Sequence, residues 1–591
     1  MTTTFLKRSS GLEPGAPPAP AAPRSSRRRT GLLLVAPSVV LLLAVFVTSL
    51  ETMVEYSFQV ERSNGANVIG TLETWRSFLG NGYYWTIIRQ TVLLGLITTA
   101  ATAVVGYLTA YALFHIKRRG WRNIGLGVVF SPFIFSGIAS VYAWQLLLSQ
   151  SGFLNSMLGH LGIGPVNFLY ERTGVVLALV QALLPLMVLP ILSSLNQIDG
   201  TLGEAASDLG APRWRTFVRV ILPLSAPGLI AGCQLTFALT ISAFTAPSLL
   251  GGGRVATLST SVYNFVQNSE FPLASVTGLV LLVLALVSAG IFLLVQRRFA
   301  EADRGGRTFV AIRPRGIRLL GGWLTLVFLF ELIPAVIVVI SSFSSVSWGA
   351  WPPPGYSLHW YSNLFHQAEV WPSFWRSIEV AVAVVILAVA IGVLASIGLV
   401  RYRFRGSPFL QSAVMSPLVV PKIAFGFAAF MLLFRMNIAS GLWAVTLAHT
   451  VATVPMVIVL TTAALLRTDR MLDQAAVDLG ASPVQAFVKS TLPQIMPTIV
   501  VSGVLCFLVS FNEVELSIFM LNSGQQTLPV WMFNYLNDYQ DPTPAALSTL
   551  MGGFALVLVL IVGLILYCSP TARGMYLNKN KKERDQVAVS A

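Results

Sequence analysis

The sequence predicts an all-α integral membrane protein built from two homologous six-helix units in a parallel pseudo-two-fold arrangement. Three observations carry this expectation: an apolar composition, a one-sided distribution of positive charge, and an internal duplication. Of 591 residues, 55% are hydrophobic and only 11% charged, with a mean hydropathy of +0.72. Soluble proteins carry about 25% charged residues, so an ordinary soluble enzyme is excluded, as is a disordered chain. Apolar runs of about 20 residues recur, the length that crosses a bilayer as a helix. A transmembrane barrel would show alternating segments of about 10 residues instead.

The runs fall near 31–51, 86–114, 124–149, 173–195, 220–248 and 274–296, and again near 319–343, 376–400, 409–434, 441–466, 495–521 and 546–568. Residues 1–30 are rich in Pro, Ala and Ser and end in Arg27, Arg28 and Arg29, a basic tail expected to be disordered. The apolar run after it is too long for a signal peptide and meets Glu51 with no small-residue cleavage site, so it reads as an uncleaved first helix. With the N-terminus in the cytoplasm and every run crossing, 31 of the 39 Lys and Arg residues fall on the cytoplasmic side. Basic residues stay cytoplasmic, so both termini are expected inside. The same rule accounts for the net charge of +15 without any nucleic-acid partner. The expected organisation is a first unit at 31–296, a basic cytoplasmic linker at 297–318, a second unit at 319–570 and a tail at 571–591. Cys233, Cys506 and Cys568 all lie in apolar runs and read as small hydrophobes.

The duplication is visible in the residues. Glu204-Ala-Ala-Ser-Asp-Leu-Gly-Ala211 returns 270 positions later as Gln474-Ala-Ala-Val-Asp-Leu-Gly-Ala481, and 16 of the 62 positions from 204 to 265 are identical at that offset. Upstream, Gly106, Leu108 and Leu113 match Gly392, Leu394 and Leu399 at an offset of 286. Six crossings per unit is an even number, so both units run the same way and are related by an axis along the membrane normal.

The repeated segment lies in a cytoplasmic loop between the fourth and fifth spans of each unit. Its alanines favour a short helix that Gly210 or Gly480 would end. Pro223 and Pro493 then stand near the start of the next span, where proline is tolerated. A single copy would read equally well as a surface helix capping the bundle. Two copies on one side of the membrane can dock a symmetric soluble dimer.

This pattern resembles the EAA loop of ABC-importer permeases of the binding-protein-dependent type. The spacing from Gly210 to Leu222 and from Gly480 to Leu492 is the same in both copies. The resemblance covers about 75–296 and 360–568 and looks like two permeases fused in one chain. It implies a type I ABC importer permease fold in a bacterial inner membrane. Two copies of a cytoplasmic ABC ATPase, which uses ATP and Mg, would dock on Glu204, Ala205, Ala206, Asp208, Leu209, Gly210 and Ala211. Their second contact would be Asp473, Gln474, Ala475, Ala476, Asp478, Leu479, Gly480 and Ala481. A soluble extracytoplasmic solute-binding protein would deliver the solute. The second loop departs from the pattern, since Gln474 stands where the Glu should be and Asp473 precedes it. Ser242-Ala-Phe-Thr-Ala-Pro-Ser-Leu-Leu-Gly-Gly-Gly-Arg254, Ser510-Phe-Asn-Glu513 and Gln526-Thr-Leu-Pro529 resemble the spermidine/putrescine-type branch. That branch also holds importers of ferric iron, thiamine and aminoethylphosphonate.

The chain carries no catalytic signature of its own. No Lys follows a Gly, so the phosphate-cradling loop of an ATPase is missing, and the histidines and cysteines are too scattered for a metal site. No cofactor is expected on the chain itself, and it is not expected to be an enzyme. Intramembrane ionisable groups are costly and deserve a role. Glu513 and Glu515 fall in the eleventh run, where their repeat partners are Ala243 and Thr245. Either they attract a cation on the pathway, or they pair with a basic group such as Lys422. His449 either lines the pathway or packs through hydrogen bonds. Glu331 has no reading from sequence. An ion-coupled secondary transporter is the rival class; it would need ionisable residues in several spans and no paired loop.

Overall fold

The computed structural model describes residues 24–61, 67–116, 118–133, 135–198, 208–300, 317–347, 351–402, 404–522 and 524–568. Residues 1–23 of the basic tail expected at 1–30, most of the linker and the C-terminal tail lie outside the described residues, while residues 24–30, expected to be disordered, begin the first helix, Arg24–Leu41. Ten helices among the described residues are long and apolar enough to cross a membrane. A bent pair, Ser407–Leu418 and Lys422–Arg435, is apolar enough for an eleventh, and its helices meet at 96°. Its first-half counterpart is also broken, into Arg119–Val129, a 3₁₀ turn at Ser131–Phe133, and Gly137–Leu148. Of the twelve spans expected, the third of each unit is therefore broken rather than one continuous helix. The breaks hold Pro132 in the first unit and Pro417 and Pro421 in the second. Proline offers no N–H and clashes with the preceding turn, so an apolar run containing it need not be one helix.

The fifth spans are also shorter than their apolar runs. They end at Ser242 and Phe511, and short helices follow at Thr245–Gly251, Leu258–Gln267 and Leu528–Asp538. Hydropathy cannot register such an end, because the chain stays apolar while it turns inside the protein.

The two halves interlock through their first helices. Arg24–Leu41 continues through a π-helical turn at Leu42–Val47 into Thr48–Ser57, and packs on Val370–Arg401 and Lys422–Arg435 of the second half. Reciprocally, Ile317–Ser341 packs on Gly82–Phe114, Arg119–Val129 and Gly137–Leu148 of the first half. The first crossing is close. A Cβ on Gly398 would stand 2.7 Å from Val35 Cγ2 and 2.9 Å from Gly31 O. In lipid no hydrophobic effect drives helices together, so association relies on such small-residue contacts.

The duplication persists at atomic detail. A Cβ on Gly106 would lie 2.6 Å from Met187 Cγ, and one on Gly392 would lie 2.7 Å from Val457 Cβ. These are equivalent crossings of the second and fourth spans. The Leu258 N–H donates to Thr91 Oγ1 at 3.0 Å, and the Leu528 N–H donates to Ser377 Oγ at 2.8 Å. Each bond ties the start of a short helix to the second span of its own unit. Gly392→Val is expected to overpack its crossing and cost about 1–3 kcal/mol. A lower Tm in detergent checks this, and an unchanged Tm would contradict it.

Candidate functional site

Two regions stand out: the paired loops at one end of the bundle and the seam where the halves meet. In the second loop, Asp469 caps the helix Arg470–Asp478 by accepting the Met471 N–H at 2.8 Å. The helix ends where Ala481 N–H donates to Ala476 O at 3.0 Å across Gly480, whose φ is +92°. This is the glycine-terminated helix end expected from sequence. Gly210, the repeat partner of Gly480, is also left-handed, with φ +75°. Leu209 and Leu479, the residues just before these glycines, are 87% and 89% exposed. Met471, Leu472 and Val477 are exposed on the same short helix. Lone exposed leucines are ordinary, but two repeat-related leucines at loop tips, one with an apolar helix face beside it, make a matched pair of exposed apolar points.

Gln474, Ala475 and Asp478 are exposed with them, as are Asp208 and Gly210, while Ala476, Ala481 and Ala211 are half-buried. Glu204, Ala205 and Ala206 lie outside the described residues. Asp473 differs from the contact role expected of it. It points inward, pairing with Arg401 at 2.6 Å and accepting from Thr491 Oγ1 at 2.7 and 2.9 Å. Arg401 also lies over the Phe487 ring, and Arg470 donates to Val400 O at 2.6 Å. Asp473 thus braces the loop against two spans. Both halves enter the fifth span through a π-helical turn, at Phe217–Ile221 and Phe487–Thr491.

At the seam, Tyr263 and Phe533 are repeat partners, and their rings are 6.0 Å apart. A residue touching its own repeat partner must flank the pseudo-two-fold axis. Phe244 lies tilted against both, at 5.0 Å from Tyr263 and 5.3 Å from Phe533, and Phe519 joins Tyr263 at 6.2 Å. Phe244 and Phe533 are buried. The axis is therefore filled by aromatic rings from both halves. Sequence reasoning missed this pair; the signal available was the offset of 270, which aligns the two positions.

Beside this cluster stand the acids. Glu513 and Glu515 lie past the end of the fifth span at Phe511, not inside a helix as the apolar run implied. Glu513 pairs with Lys422 Nζ at 2.5 Å, the fastening partner foreseen from sequence. The Lys422 side chain keeps 42% of its exposure while Glu513 keeps 6%, so the pair has one open side. Glu515 Oε1 accepts the Phe244 N–H at 3.2 Å, a bond between the two halves. His449 is 1% exposed, with Nδ1 2.9 Å from Ser510 Oγ and Nε2 2.9 Å from Ser517 Oγ. Both ring nitrogens are used, so His449 ties its span to the segment that carries the two glutamates.

Glu331, which had no reading from sequence, is buried inside the protein. It is 2% exposed, and neither carboxylate oxygen has a hydrogen-bond partner. Its backbone carbonyl accepts from Gln181 Nε2 at 3.0 Å, and Gln181 Oε1 accepts from Trp144 Nε1 at 2.7 Å. Interlocking of the halves buries it. Among the described residues no group of three or more His, Cys, Asp or Glu side chains is placed to hold a metal.

Residues 104–301 and 388–568 each match the family described as binding-protein-dependent transport system inner membrane component. The spermidine/putrescine transport system permease protein PotB of Escherichia coli K12 is 30% identical over 261 residues, covering 44% of this chain and 93% of that protein. PotC of the same system and strain is 30% identical over 251 residues, covering 42% and 94%. PotB of Haemophilus influenzae is 33% identical over 217 residues, covering 36% and 75%. Among solved structures, a bacterial alginate ABC transporter in complex with a pentasaccharide-bound periplasmic protein matches with a TM-score of 0.39 and 17% identity, over 47% of this chain and 96% of that one. With two family units in one multi-pass chain, the protein belongs to the binding-protein-dependent inner-membrane transport components and is a fused two-half ABC permease.

Proposed function

We propose that the protein forms the membrane passage of an ATP-driven importer that moves a polyamine such as spermidine or putrescine into the cytoplasm. The single observation that carries the coupling part is the pair of repeat-related loops, each ending in an exposed leucine before a left-handed glycine. The solute follows from the relatives, whose names specify spermidine and putrescine. Iron, thiamine and aminoethylphosphonate are the other cargoes of the branch, and no feature of the chain favours them. A secondary transporter has no use for the paired loops.

In this reading the loop face is cytoplasmic, both termini are inside, and two identical ATPase subunits that bind ATP and Mg grip the loops. Units 31–296 and 319–570 act as the two moving halves, and a solute-binding protein docks on the opposite face. The aromatic cluster on the axis is the closed gate. ATP binding draws the loops together and parts the halves at Tyr263 and Phe533; hydrolysis restores the closed form. Such a cycle needs two arrangements of similar free energy that nucleotide and loaded binding protein bias in turn.

The test is Gly210→Pro combined with Gly480→Pro. Proline fixes φ near −65° and cannot adopt these left-handed angles. Membrane insertion is expected to remain normal while solute-stimulated ATP hydrolysis is lost from the reconstituted assembly. Wild-type uptake in that variant would reject the coupling role.

A further inference from the structure

A cavity of about 190 Å³ opens at the seam. Its walls come from both halves: Tyr142, Gln145 and Tyr170 on one side, Asn537, Tyr539 and Asp541 on the other. Tyr170 lies two residues before the fourth-span helix Arg172–Leu195, whose far end leads to the first loop, so the cavity lies on the face away from the loops. Three features define its chemistry. First, Gln145 Oε1 is buried without any hydrogen-bond partner. A buried acceptor left unmade costs about 1–3 kcal/mol, so a hydrogen-bond donor entering the cavity would be favoured there. Second, Asp541 brings a carboxylate, and among the described residues no Lys, Arg or His lines the cavity. Tyr535 Oη and the Thr543 N–H each donate to that carboxylate at 2.8 Å, but a carboxylate has about four lone-pair sites, so it can accept further. Third, three tyrosines border the space, and aromatic faces attract cations.

We propose that this seam cavity binds an alkylammonium group of the incoming amine. An ammonium offers three donors and no acceptor, which matches an orphaned amide oxygen beside an uncompensated carboxylate. An anion would meet Asp541 with no cation to offset it. The cavity walls belong to opposite halves, so its shape depends on how the halves sit. A ligand there binds one arrangement better than the other and biases the cycle. Because the two aromatic tiers, Tyr539 outside and Phe533 on the axis, share the helix Leu528–Asp538 and its exit, the cavity is a waiting position next to the closed gate. The inference rests on the polyamine reading above.

The experiment uses the full chain in lipid nanodiscs without ATPase or binding protein, titrated with radiolabelled spermidine. Saturable binding is expected, displaced by butylammonium and not by butanol or butyrate. Gln145→Leu should weaken binding at least tenfold, and Gln145→Glu should tighten it, a gain that a misfolded variant cannot show. Binding that ignores both substitutions, or that butanol and butyrate displace equally, overturns the site. Binding-protein association that depends on Gln145 while free amine does not bind also overturns it, because the ammonium would then be a lysine of the docking protein. Uptake of a non-amine solute with Gln145-dependent amine binding would sink the polyamine reading and leave the cavity standing. Normal spermidine uptake with indifferent Gln145 variants would do the reverse.

Discussion

Replacing Leu209 and Leu479 together with Asp is expected to abolish solute uptake while leaving the protein folded in the membrane. Both side chains are almost fully exposed, at 87% and 89%, so removing them costs the isolated permease no packing. In a complex they would become buried contact anchors, and anchors of that kind are worth about 2 kcal/mol or more each. A charge carried into such a contact adds a desolvation penalty. Two sites of about 2 kcal/mol multiply to roughly a thousandfold loss of ATPase affinity, since each 1.4 kcal/mol is tenfold. Co-purification of the ATPase with the permease measures the effect. Each single variant should lose a smaller share, because one loop still holds one subunit. Full ATPase retention by the double variant would show that the leucines face something else.

Lys422→Met should be strongly destabilising. It leaves the Glu513 carboxylate, 6% exposed, without its cation. Removing one partner of a buried ion pair costs about 3–5 kcal/mol, less here to the extent that the open side of Lys422 admits water. The double variant Lys422→Met with Glu513→Gln removes both charges and should recover most of that loss, because a neutral pair is often tolerated as well as the ionic one. Thermal unfolding in detergent distinguishes the cases. Were the single and double variants equally unstable, the pair would not be the fastening that the geometry indicates. The double variant also separates fastening from transport: if stability returns and uptake does not, the charges serve the solute as well.

The legible part of the site was local. Gly210 and Gly480 announce their role because a left-handed helix end is a property of a few adjacent residues. The leucines before them lie at the same loop tips for the same reason. Asp473 was misread as a contact because its partners, Arg401 and Thr491, come from other helices. Glu513 found its expected partner in Lys422, but the end of the span that places both acids off the helix was hidden, since Val514, Leu516 and Ile518 keep the segment apolar. The broken third spans were hidden in the same way, although Pro132, Pro417 and Pro421 stood in plain sight.

Sequence alone determined the membrane class, the duplication, the loop positions and the family, because apolar length, charge bias and repeated residues are written along the chain. Only the tertiary structure decided the exchange of first helices, the meeting of Tyr263 with Phe533, the burial of Glu331 and the seam cavity. In a bilayer every helix is surrounded by surfaces as apolar as its neighbours, so hydropathy says that a helix spans and nothing about which helix it touches. That choice rests on close fits such as Gly398 against Val35 and Gly31, which exist only once the helices have met.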